Sequence, residues 1–381
     1  MAILVVNAGS SSIKLAIFAG GPEPVFAAMA AEIGGASTLK TPAGERAMAL
    51  ADHRAALAAL LAAAEGAGFP LSGLAAAAHR VVHGGADLTE TCLVTDDVER
   101  RIEAAIPLAP LHNPANLTAI RALRSLAPAL PQYASFDTAF HATNPDVAVR
   151  YAVPDSVAAL GIRRYGFHGI SFTALVRKVK EIADKPLPER LLALHLGNGC
   201  SLCAIRDGRS VATTMGYSPL DGLTMGTRSG GIDGNAVLRL ADLHGTEGAA
   251  RILNRESGLL GLGGSNDMRV LRRAQTPEAR FAIDHFRYWA IRHAGSMIAA
   301  MGGLDAIAFT GGIGENDHQM RAAILDGLAW AGAAYDAPAN RQGAMILHED
   351  HSPVAIWIVR AEEERQIALE SLSLMAGKAA R

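Results

Sequence analysis

The segment at residues 3–18 constrains the fold more than any other part of the sequence. Two apolar runs enclose a turn of small polar residues that contains Gly9 and three consecutive serines. Apolar runs on either side of such a turn, the second alternating, predict a β-hairpin. Hydroxyls and backbone N–H groups in this turn can surround a phosphate, with Lys14 close behind, although the spacing of a Walker loop is absent. An ordinary polar hairpin turn is the alternative interpretation.

The same pattern recurs at residues 191–205, where a strand, a small polar turn and a second strand follow one another. Placing His195 over Asn7 aligns the two turns. A strand that runs into a glycine pair also occurs twice, at residues 74–85 and 304–312. We therefore predict an α/β fold made of a duplicated domain, with the two hairpins facing each other across a nucleotide cleft.

The length and charge of the chain narrow the function classes. A chain of 381 residues is too long for one core, which predicts two domains. We place them at residues 1–141 plus 365–381 and at residues 142–364. A net charge of −2 argues against a non-specific nucleic-acid binder.

Three cysteines in a chain of this length predict a reducing, cytoplasmic location. Cys200 and Cys203 form a C-x-x-C motif on a predicted strand, where they point to opposite faces, which argues against a redox or zinc site. The first residues lack the basic start of a signal peptide, and the Ala-rich run at residues 55–64 is too short to cross a bilayer. We therefore expect no membrane partner.

Periodicity and capping residues predict the remaining elements. The predicted strands beyond the two hairpins are a meander that ends near residue 50 and segments 74–82, 132–136 and 304–310. The predicted helices are residues 52–66, 96–105, 113–126, 155–160, 234–243, 246–255 and 277–301.

Chemistry-bearing residues gather near strand ends and glycine-rich loops. Arg80 precedes a glycine pair, Asp137 ends a strand, His168 follows two arginines, and Arg228 lies in a long loop of small residues. Each has a structural alternative, such as an ordinary salt bridge. Together they supply the cations, histidine and carboxylate that phosphoryl transfer uses. We interpret the other histidines near these motifs as structural: His83, His112 and His141.

Eight of these motifs, in order, resemble those of the acetokinase family. They are VNAGSSSIK at 6–14, HRVVHGG at 79–85, PLHNPANL at 110–117, FDTAFH at 136–141, RRYGFHG at 163–169, HLGNG at 195–199, PLDGLTMGTRSG at 219–230 and TGGIGEN at 310–316. The resemblance implies two ribonuclease-H-like domains of the actin and sugar kinase superfamily, and a homodimer. It also implies a Mg²⁺-dependent enzyme (Mn²⁺ being possible) that reversibly transfers the γ-phosphoryl group of ATP to acetate, giving acetyl phosphate and ADP.

The resemblance also assigns roles to matching positions. It implies that Asp137, His168 and Arg228 are catalytic, and that Asn7 and Glu363 hold the metal. It implies a substrate site of Arg80, Val82, Leu111, Phe167 and Pro219. It implies nucleotide contacts from Ser10, Ser12, Lys14, His195, Leu196, Gly197, Asn198, Gly199, Asp267, Met268, Arg269, Gly312, Ile313, Gly314, Glu315 and Asn316.

The acid–base role that the family gives to Asp137 conflicts with simple chemistry. A carboxylate substrate has a pKa of about 4, so it is ionised at neutral pH and needs no base to become a nucleophile. We therefore hypothesise that Asp137 holds the metal or its waters and orients the substrate. Arg80 should act on substrate binding, and His168 and Arg228 on kcat.

Several positions depart from the family pattern. The C-terminal metal motif reads Ala-Glu-Glu-Glu at residues 361–364, so Glu362 and Glu364 are alternatives to Glu363. Asp221 stands where Glu is common, and glycines at 231 and 234 replace the usual Asp and Pro. The segment at 261–267 is about one residue short, which weakens the match for the nucleotide contacts at 267–269.

Two other functions stay open at this point. A propionate or short-chain acyl kinase would use the same residues, because one methylene changes binding by only ~1–3 kcal/mol. A non-catalytic nucleotide-binding regulator could share the fold, although the four residues Arg80, Asp137, His168 and Arg228 argue for catalysis.

Overall fold

Two sheets with helices between their strands organise the chain in the computed structural model, which describes residues 1–183 and 186–377. The strands are β1 (Ile3–Ala8), β2 (Ile13–Phe18), β3 (Phe26–Ala31), β4 (Thr38–Thr41), β5 (Gly44–Ala47), β6 (Ala76–Val81), β7 (Cys92–Leu93), β8 (Gln132–Phe136), β9 (Arg190–Leu196), β10 (Cys200–Arg206), β11 (Arg209–Thr213), β12 (Ala306–Thr310) and β13 (Ala355–Ile358).

The helices are α1 (His53–Gly66), α2 (Asp96–Ala104), α3 (Asn113–Leu126), α4 (Asp146–Val149), α5 (Asp155–Ala158), α6 (Gly169–Ile182), α7 (Gly234–Arg255), α8 (Gly258–Gly263), α9 (Met268–Ala274), α10 (Pro277–Met301), α11 (Gly311–Asn316), α12 (His318–Gly327), α13 (Ala337–Gln342) and α14 (Glu363–Met375). Short 3-10 turns lie at Leu71–Gly73, Ile106–Leu108, Ala139–Thr143 and Ala329–Ala331. No helix in the described ranges has both the length and the apolar composition needed to cross a membrane.

The chain forms two units, and helix α14 belongs to the first of them. That unit comprises Met1–Phe140 and Glu362–Arg381. Its sheet has the order β5-β4-β3-β2-β1-β6-β8-β7, with an antiparallel meander from β1 to β5 and parallel pairing of β1 with β6 and of β6 with β8. Asn7 pairs with Lys14 across the first hairpin, so the predicted hairpin is confirmed.

The second unit, His141–Ala361, repeats this plan. Its sheet has the order β11-β10-β9-β12-β13, with antiparallel pairs from β9 to β11 and parallel pairing of β9 with β12 and of β12 with β13. In each unit a hairpin-led meander lies on one side of the first strand, and parallel strands lie on the other. The predicted duplicated α/β fold is therefore confirmed.

Opposite faces of strand β1 have different partners. Leu4, Val6 and Ala8 join a buried cluster with residues of α1, such as Leu57 and Leu60. Because side chains alternate along a strand, Asn7 points to the other face, where α14 packs against β1, β6 and β8. The sheet thus presents Asn7 to the helix that carries Glu363.

Two local predictions can be compared with the second unit. The predicted helices at 234–243 and 246–255 correspond to α7, in which Gly245 has φ 71° and ψ 166° and interrupts the helical backbone. Cys200 and Cys203 are buried on β10, and burial raises the pKa of both thiols to about 12.

Candidate active site

Three adjacent parallel strands of the first unit deliver polar side chains to one edge of their sheet. Asn7 is the penultimate residue of β1, Arg80 is the penultimate residue of β6, and Asp137 directly follows β8. The carboxyl ends of parallel strands meet at one edge, which is where open α/β sheets bind ligands. With Glu363 and Glu364 at the start of α14, these residues form what we call the arginine–carboxylate cluster.

Direct hydrogen bonds join this cluster. The Arg80 guanidinium donates to Asp137 Oδ2 from Nη2 at 2.5 Å and from Nε at 3.0 Å. Its Nη1 donates to Asn7 Oδ1 at 3.1 Å, and Asn7 Nδ2 donates to Glu364 Oε1 at 3.3 Å. The Asp137 side chain is 2% exposed and that of Arg80 20%. The ion pair is therefore largely removed from water.

Electrostatics fix the charge of the arginine. Burial alone would lower the pKa of Arg80, but the charges of Asp137, Glu363 and Glu364 raise it above its ordinary value. The cluster thus holds one guanidinium and three acidic side chains, an excess of acid that suits a cation. Glu362 instead forms an ion pair with Arg365 at 2.7 Å along the helix.

Oxygen donors of this kind fit magnesium. In residues 1–183 and 186–377, no group of three or more His, Cys, Asp or Glu side chains is arranged to hold a metal ion. Mg²⁺ commonly binds through one or two protein carboxylates, several waters and substrate phosphates. An amide oxygen from Asn7 and a carboxylate from Glu363 or Glu364 match that chemistry.

Two buried asparagines at the start of α3 support the strand ends. Asn116 accepts a hydrogen bond from Val82 N at 3.1 Å and donates to Ala8 O at 2.6 Å. Asn113 accepts from His83 N at 3.1 Å and donates to His83 O at 3.0 Å. Sequence reasoning gave no role to either residue, although both belong to the PLHNPANL motif and lie one helical turn apart.

The remaining residues of the predicted substrate site are distributed over both units. Val82 follows β6 and is 3% exposed, whereas Leu111 is 42% exposed. In the second unit, Phe167 is buried, and Pro219 accepts a hydrogen bond from Arg228 Nη1 through its carbonyl oxygen at 2.5 Å.

A second group of polar residues lies around the turn between β9 and β10. His168 has a left-handed backbone, with φ 59°, directly before α6. Its ring stacks on that of His195, with centroids 4.1 Å apart. His168 Nδ1 shares a hydrogen bond with Ser201 Oγ at 2.9 Å, and His195 Nδ1 shares one with Ser171 Oγ at 2.9 Å. With Gly199 and Arg228, we call His168, His195 and Ser201 the histidine–arginine cluster.

Gly199 is the point at which the side chains of this cluster converge. A Cβ atom added there would lie 2.7 Å from Arg228 Nη2 and 3.2 Å from His168 Nε2. Two of the predicted catalytic residues, His168 and Arg228, therefore border the glycine turn that aligns with the first hairpin. Two nitrogen donors beside one turn can contact the same anionic group.

The predicted nucleotide residues of the first unit lie in its hairpin turn. Gly9 N donates to Ser12 O at 2.7 Å and closes the turn. Ser10 and Lys14 are exposed, and Ser12 is half-buried. Because cross-strand partners share a face, Lys14 lies on the same face of the sheet as its partner Asn7.

The glycine-rich segment of the second unit follows β12 without a loop, as helix α11. Gly311 has φ 80°, and a Cβ atom there would lie 2.8 Å from Leu196 O, so only glycine fits. Glu315 Oε1 accepts from Gly311 N at 3.0 Å and from Ala361 N at 2.9 Å. The fully buried Arg321 donates to the carbonyls of Gly314 and Glu315, at 2.9 and 2.8 Å. The predicted contacts Gly312, Ile313 and Asn316 lie on the same short helix.

The segment at 267–269 begins helix α9. Asp267 caps the helix by accepting from Arg269 N at 2.8 Å, and it also pairs with the Arg269 guanidinium at 2.6 Å. That side-chain hydrogen bond lowers the pKa of Asp267 to about 2. Met268 is 4% exposed, so its side chain packs in the interior.

Comparison with known proteins identifies the family. The model of the acetokinase family matches residues 2–369. The chain belongs to the acetokinase family. Relatives in this family include proteins named acetate kinase from Methylocella silvestris, 41% identical over 99% of both chains, and from Leifsonia xyli, 43% identical over 98% of this chain and 99% of the relative.

Solved structures of the family have the same fold. A crystal structure of acetate kinase from Porphyromonas gingivalis is 32% identical, with a TM-score of 0.90 over 98% of this chain and 99% of the other. A propionate kinase from Francisella tularensis is 35% identical, with a TM-score of 0.91 over 97% and 98%. Solved structures of the acetokinase family thus carry both names.

Proposed function

We propose that this protein is an acetate kinase, which reversibly transfers the γ-phosphoryl group of ATP to acetate and forms acetyl phosphate and ADP. The observation that carries the proposal is the arginine–carboxylate cluster at the strand edge of an acetokinase-family chain. Arg80 offers a planar fork that suits a carboxylate, and it is kept charged by acidic neighbours. The named relatives support acetate as the substrate acid.

Arg80 binds and orients the acetate carboxylate in this proposal. The substrate is already ionised at neutral pH, since carboxylic acids have pKa values of about 4. Asp137 then has no proton to remove. Its hydrogen bonds with the Arg80 guanidinium instead favour a role in orienting the arginine, and in holding the metal or its waters.

We assign the metal ligands to Asn7 and to Glu363, with Glu364 as the neighbouring alternative. Bound Mg²⁺ (or Mn²⁺) would neutralise charge on the nucleotide phosphates. The hydrogen bond between Asn7 and Glu364 supports a shared role for these side chains. The ion pair of Glu362 with Arg365 makes Glu362 the weaker candidate.

His168 and Arg228 donate to the phosphoryl group during transfer. Both lie beside Gly199, and Ser201 fixes the His168 ring through its other nitrogen. Donors that are held in place before the reaction stabilise developing charge, and losing one costs about 3–4 kcal/mol. We therefore expect each residue to act on kcat more than on either KM.

The nucleotide contacts fall in several segments under this proposal. Ser10, Ser12 and Lys14 contribute from the first hairpin, as do residues 195–199 from the second. Residues 267–269 and 312–316 supply the remaining contacts in the second unit. The backbone of α11 supports the last assignment, because Glu315 accepts from Gly311 N and Arg321 donates to Gly314 O.

We also propose a homodimer in the cytoplasm. Large apolar side chains on α7 and α10 are exposed and would be covered by a second subunit; they are Leu238, Leu243, Phe281 and Tyr288. The free cysteines Cys92, Cys200 and Cys203 suit a reducing compartment. Sedimentation of the wild type and of Leu243→Asp tests the assembly: the variant should sediment as a smaller species.

Formation of acyl hydroxamate from MgATP and each of acetate, propionate and butyrate tests the function. We expect acetate to give the highest kcat/KM. A higher value for propionate would support the second candidate, which the propionate kinase neighbour favours. No acyl phosphate from any of the three acids would contradict both.

The role of Asp137 has its own test. Asp137→Asn should lower kcat and the affinity for Mg²⁺. The pH profile of kcat should keep every ionisation that the wild type shows. If one ionisation disappeared from that profile while Mg²⁺ affinity stayed unchanged, Asp137 would be an acid–base catalyst.

A further inference from the structure

Glu370 on helix α14 makes a network of hydrogen bonds outside the residues assigned so far. Its Oε2 accepts from Ser135 Oγ at 2.9 Å and makes a short contact with Thr91 Oγ1. The Thr91 and Ser135 hydroxyl oxygens lie 2.8 Å apart. Its Oε1 accepts from Gln366 Nε2 at 3.0 Å. A carboxyl group with three polar partners is held in one position.

Helix geometry connects Glu370 to the arginine–carboxylate cluster. Glu363 and Glu370 are seven residues apart, almost two turns of an α-helix, so they share one face. Gln366 and Ile367 lie between them on that face, and both are buried. Glu370 therefore lies on the same face of α14 as Glu363.

Strand geometry connects the other end of the network to the same cluster. Ser135 is directly paired with Arg80 in the register of β6 with β8. Ser135 and Asp137 are two residues apart and share a face of the extended chain, which continues to Asp137 N donating to Val81 O at 3.1 Å. The Ser135 side chain is buried. Glu370 thus contacts Ser135, which is the strand partner of Arg80 and lies two residues before Asp137.

We propose that Glu370 is a positioning residue that holds the first turn of α14, with Glu363 and Glu364, against the strand ends that carry Arg80 and Asp137. The proposal rests on the function assigned above. Glu370 touches no reacting group in this scheme. It acts through the Glu363 and Glu364 carboxylates, which lie almost two helical turns before it.

A double-mutant cycle distinguishes this role from a general contribution to stability. Glu370→Ala should lower kcat at least tenfold in the otherwise unchanged protein. In a Glu363→Gln, Glu364→Gln background the same change should lower the residual kcat less than twofold, because the groups that it positions are already gone. A residue that only stabilises the fold would show no such coupling.

Conservative and matched variants complete the cycle. Glu370→Gln keeps the length and one acceptor oxygen, so it should stay within threefold of wild-type kcat. Ser135→Ala removes one donor and should give an intermediate loss. Glu65→Ala, which removes an exposed carboxylate on α1, should leave kcat unchanged. If Glu370→Ala does not fold, Ser135→Ala and Thr91→Val take its place in the same cycle.

Hydrogen exchange of the α14 backbone gives a readout that does not depend on turnover. Glu370→Ala should speed exchange in the first turns of α14 and leave exchange in β1 unchanged. Unchanged exchange in α14, or equal losses of kcat in both backgrounds, would overturn the proposal. A wild-type protein that forms no acyl phosphate, although its α14 backbone is protected from hydrogen exchange, would instead refute the assigned function and the positioning role with it.

Discussion

Replacement of Arg80 by alanine should separate substrate binding from nucleotide binding. The side chain makes two hydrogen bonds to Asp137 and one to Asn7. We expect Arg80→Ala to raise the KM for acetate strongly and to change the KM for ATP less than threefold. It should also destabilise the first unit, because it leaves the Asp137 carboxylate buried and without its guanidinium.

The magnitudes follow from burial. Removing one partner of a buried ion pair costs ~3–5 kcal/mol. Arg80 keeps 20% of its side chain exposed, against 2% for Asp137, so the lower end of this range applies. That cost applies to the free energy of unfolding. Loss of the charge pair between Arg80 and the acetate carboxylate costs a separate ~2–5 kcal/mol, and about 3 kcal/mol corresponds to a roughly 150-fold fall in kcat/KM for acetate, since 1.4 kcal/mol is a factor of ten.

Two measurements on three variants provide the assay. Steady-state kinetics would give KM for acetate and for ATP separately, and urea unfolding would give the stability. Arg80→Lys keeps the charge but not the planar fork, so it should retain stability better than acetate affinity. Arg80→Ala combined with Asp137→Asn should unfold at higher urea than Arg80→Ala alone, because the buried charge has been removed.

Equal increases in both KM values would refute the assignment of Arg80 to the carboxylate. The electrostatic reasoning fails separately if Arg80→Ala unfolds at the wild-type urea concentration. It also fails if the added Asp137→Asn change destabilises the protein further.

Three further predictions concern other parts of the chain. Gly199→Ala should lower kcat about 100-fold with little change in Tm, because the new methyl group displaces the end of the Arg228 side chain rather than the backbone; a wild-type kcat would contradict this geometry. Burial lowers the pKa of His141 to about 4, so the unfolded chain takes up a proton first; the free energy of unfolding should fall by up to about 3 kcal/mol between pH 6.5 and 4. In His141→Asn, the free energy of unfolding from urea titrations should depend less steeply on pH over this range. An unchanged dependence on pH would exclude His141 as the cause. Glu363→Gln should raise the Mg²⁺ concentration needed for half-maximal rate about tenfold. Glu362→Gln should resemble the wild type, because the Glu362 carboxylate is held in an ion pair along the helix. A larger Mg²⁺ requirement in Glu362→Gln than in Glu363→Gln would assign the metal ligand to Glu362 instead.

Local sequence patterns predicted the repeated elements well. The turn at Gly9 lies between two apolar runs, and this pattern predicted the hairpin; the pairing of residues across it comes from the structure. The second copy has the same pattern, so aligning its turn at His195 with the first turn at Asn7 predicted the duplication. Helix α3 begins at Asn113, with proline in its first turn, as its sequence predicts.

Local sequence patterns could not predict contacts between segments that are distant in the chain. The pairing of Arg80 with Asp137 depends on β6 lying next to β8, and the strand order is set by the whole sheet. Glu370 has no sequence signal, because its hydroxyl partners come from a different strand and loop. The binding and catalytic roles of the sequence-predicted residues stay predictions, although the structure brings Asn7, Arg80 and Asp137 together.

The return of α14 to the first unit has a consequence for synthesis of the protein. Asn7 and Glu364 hydrogen-bond across 357 positions of sequence, and the sheet face that α14 covers is completed only by residues from 362 onward. A ribosome makes the amino-terminal sheet first and its covering helix last. Until then, the nascent first unit exposes an apolar strand surface and lacks Glu363 and Glu364, two of the three carboxylates of its cluster. The arginine–carboxylate cluster is therefore complete only after the carboxyl-terminal helix has left the ribosome and packed on β1, β6 and β8.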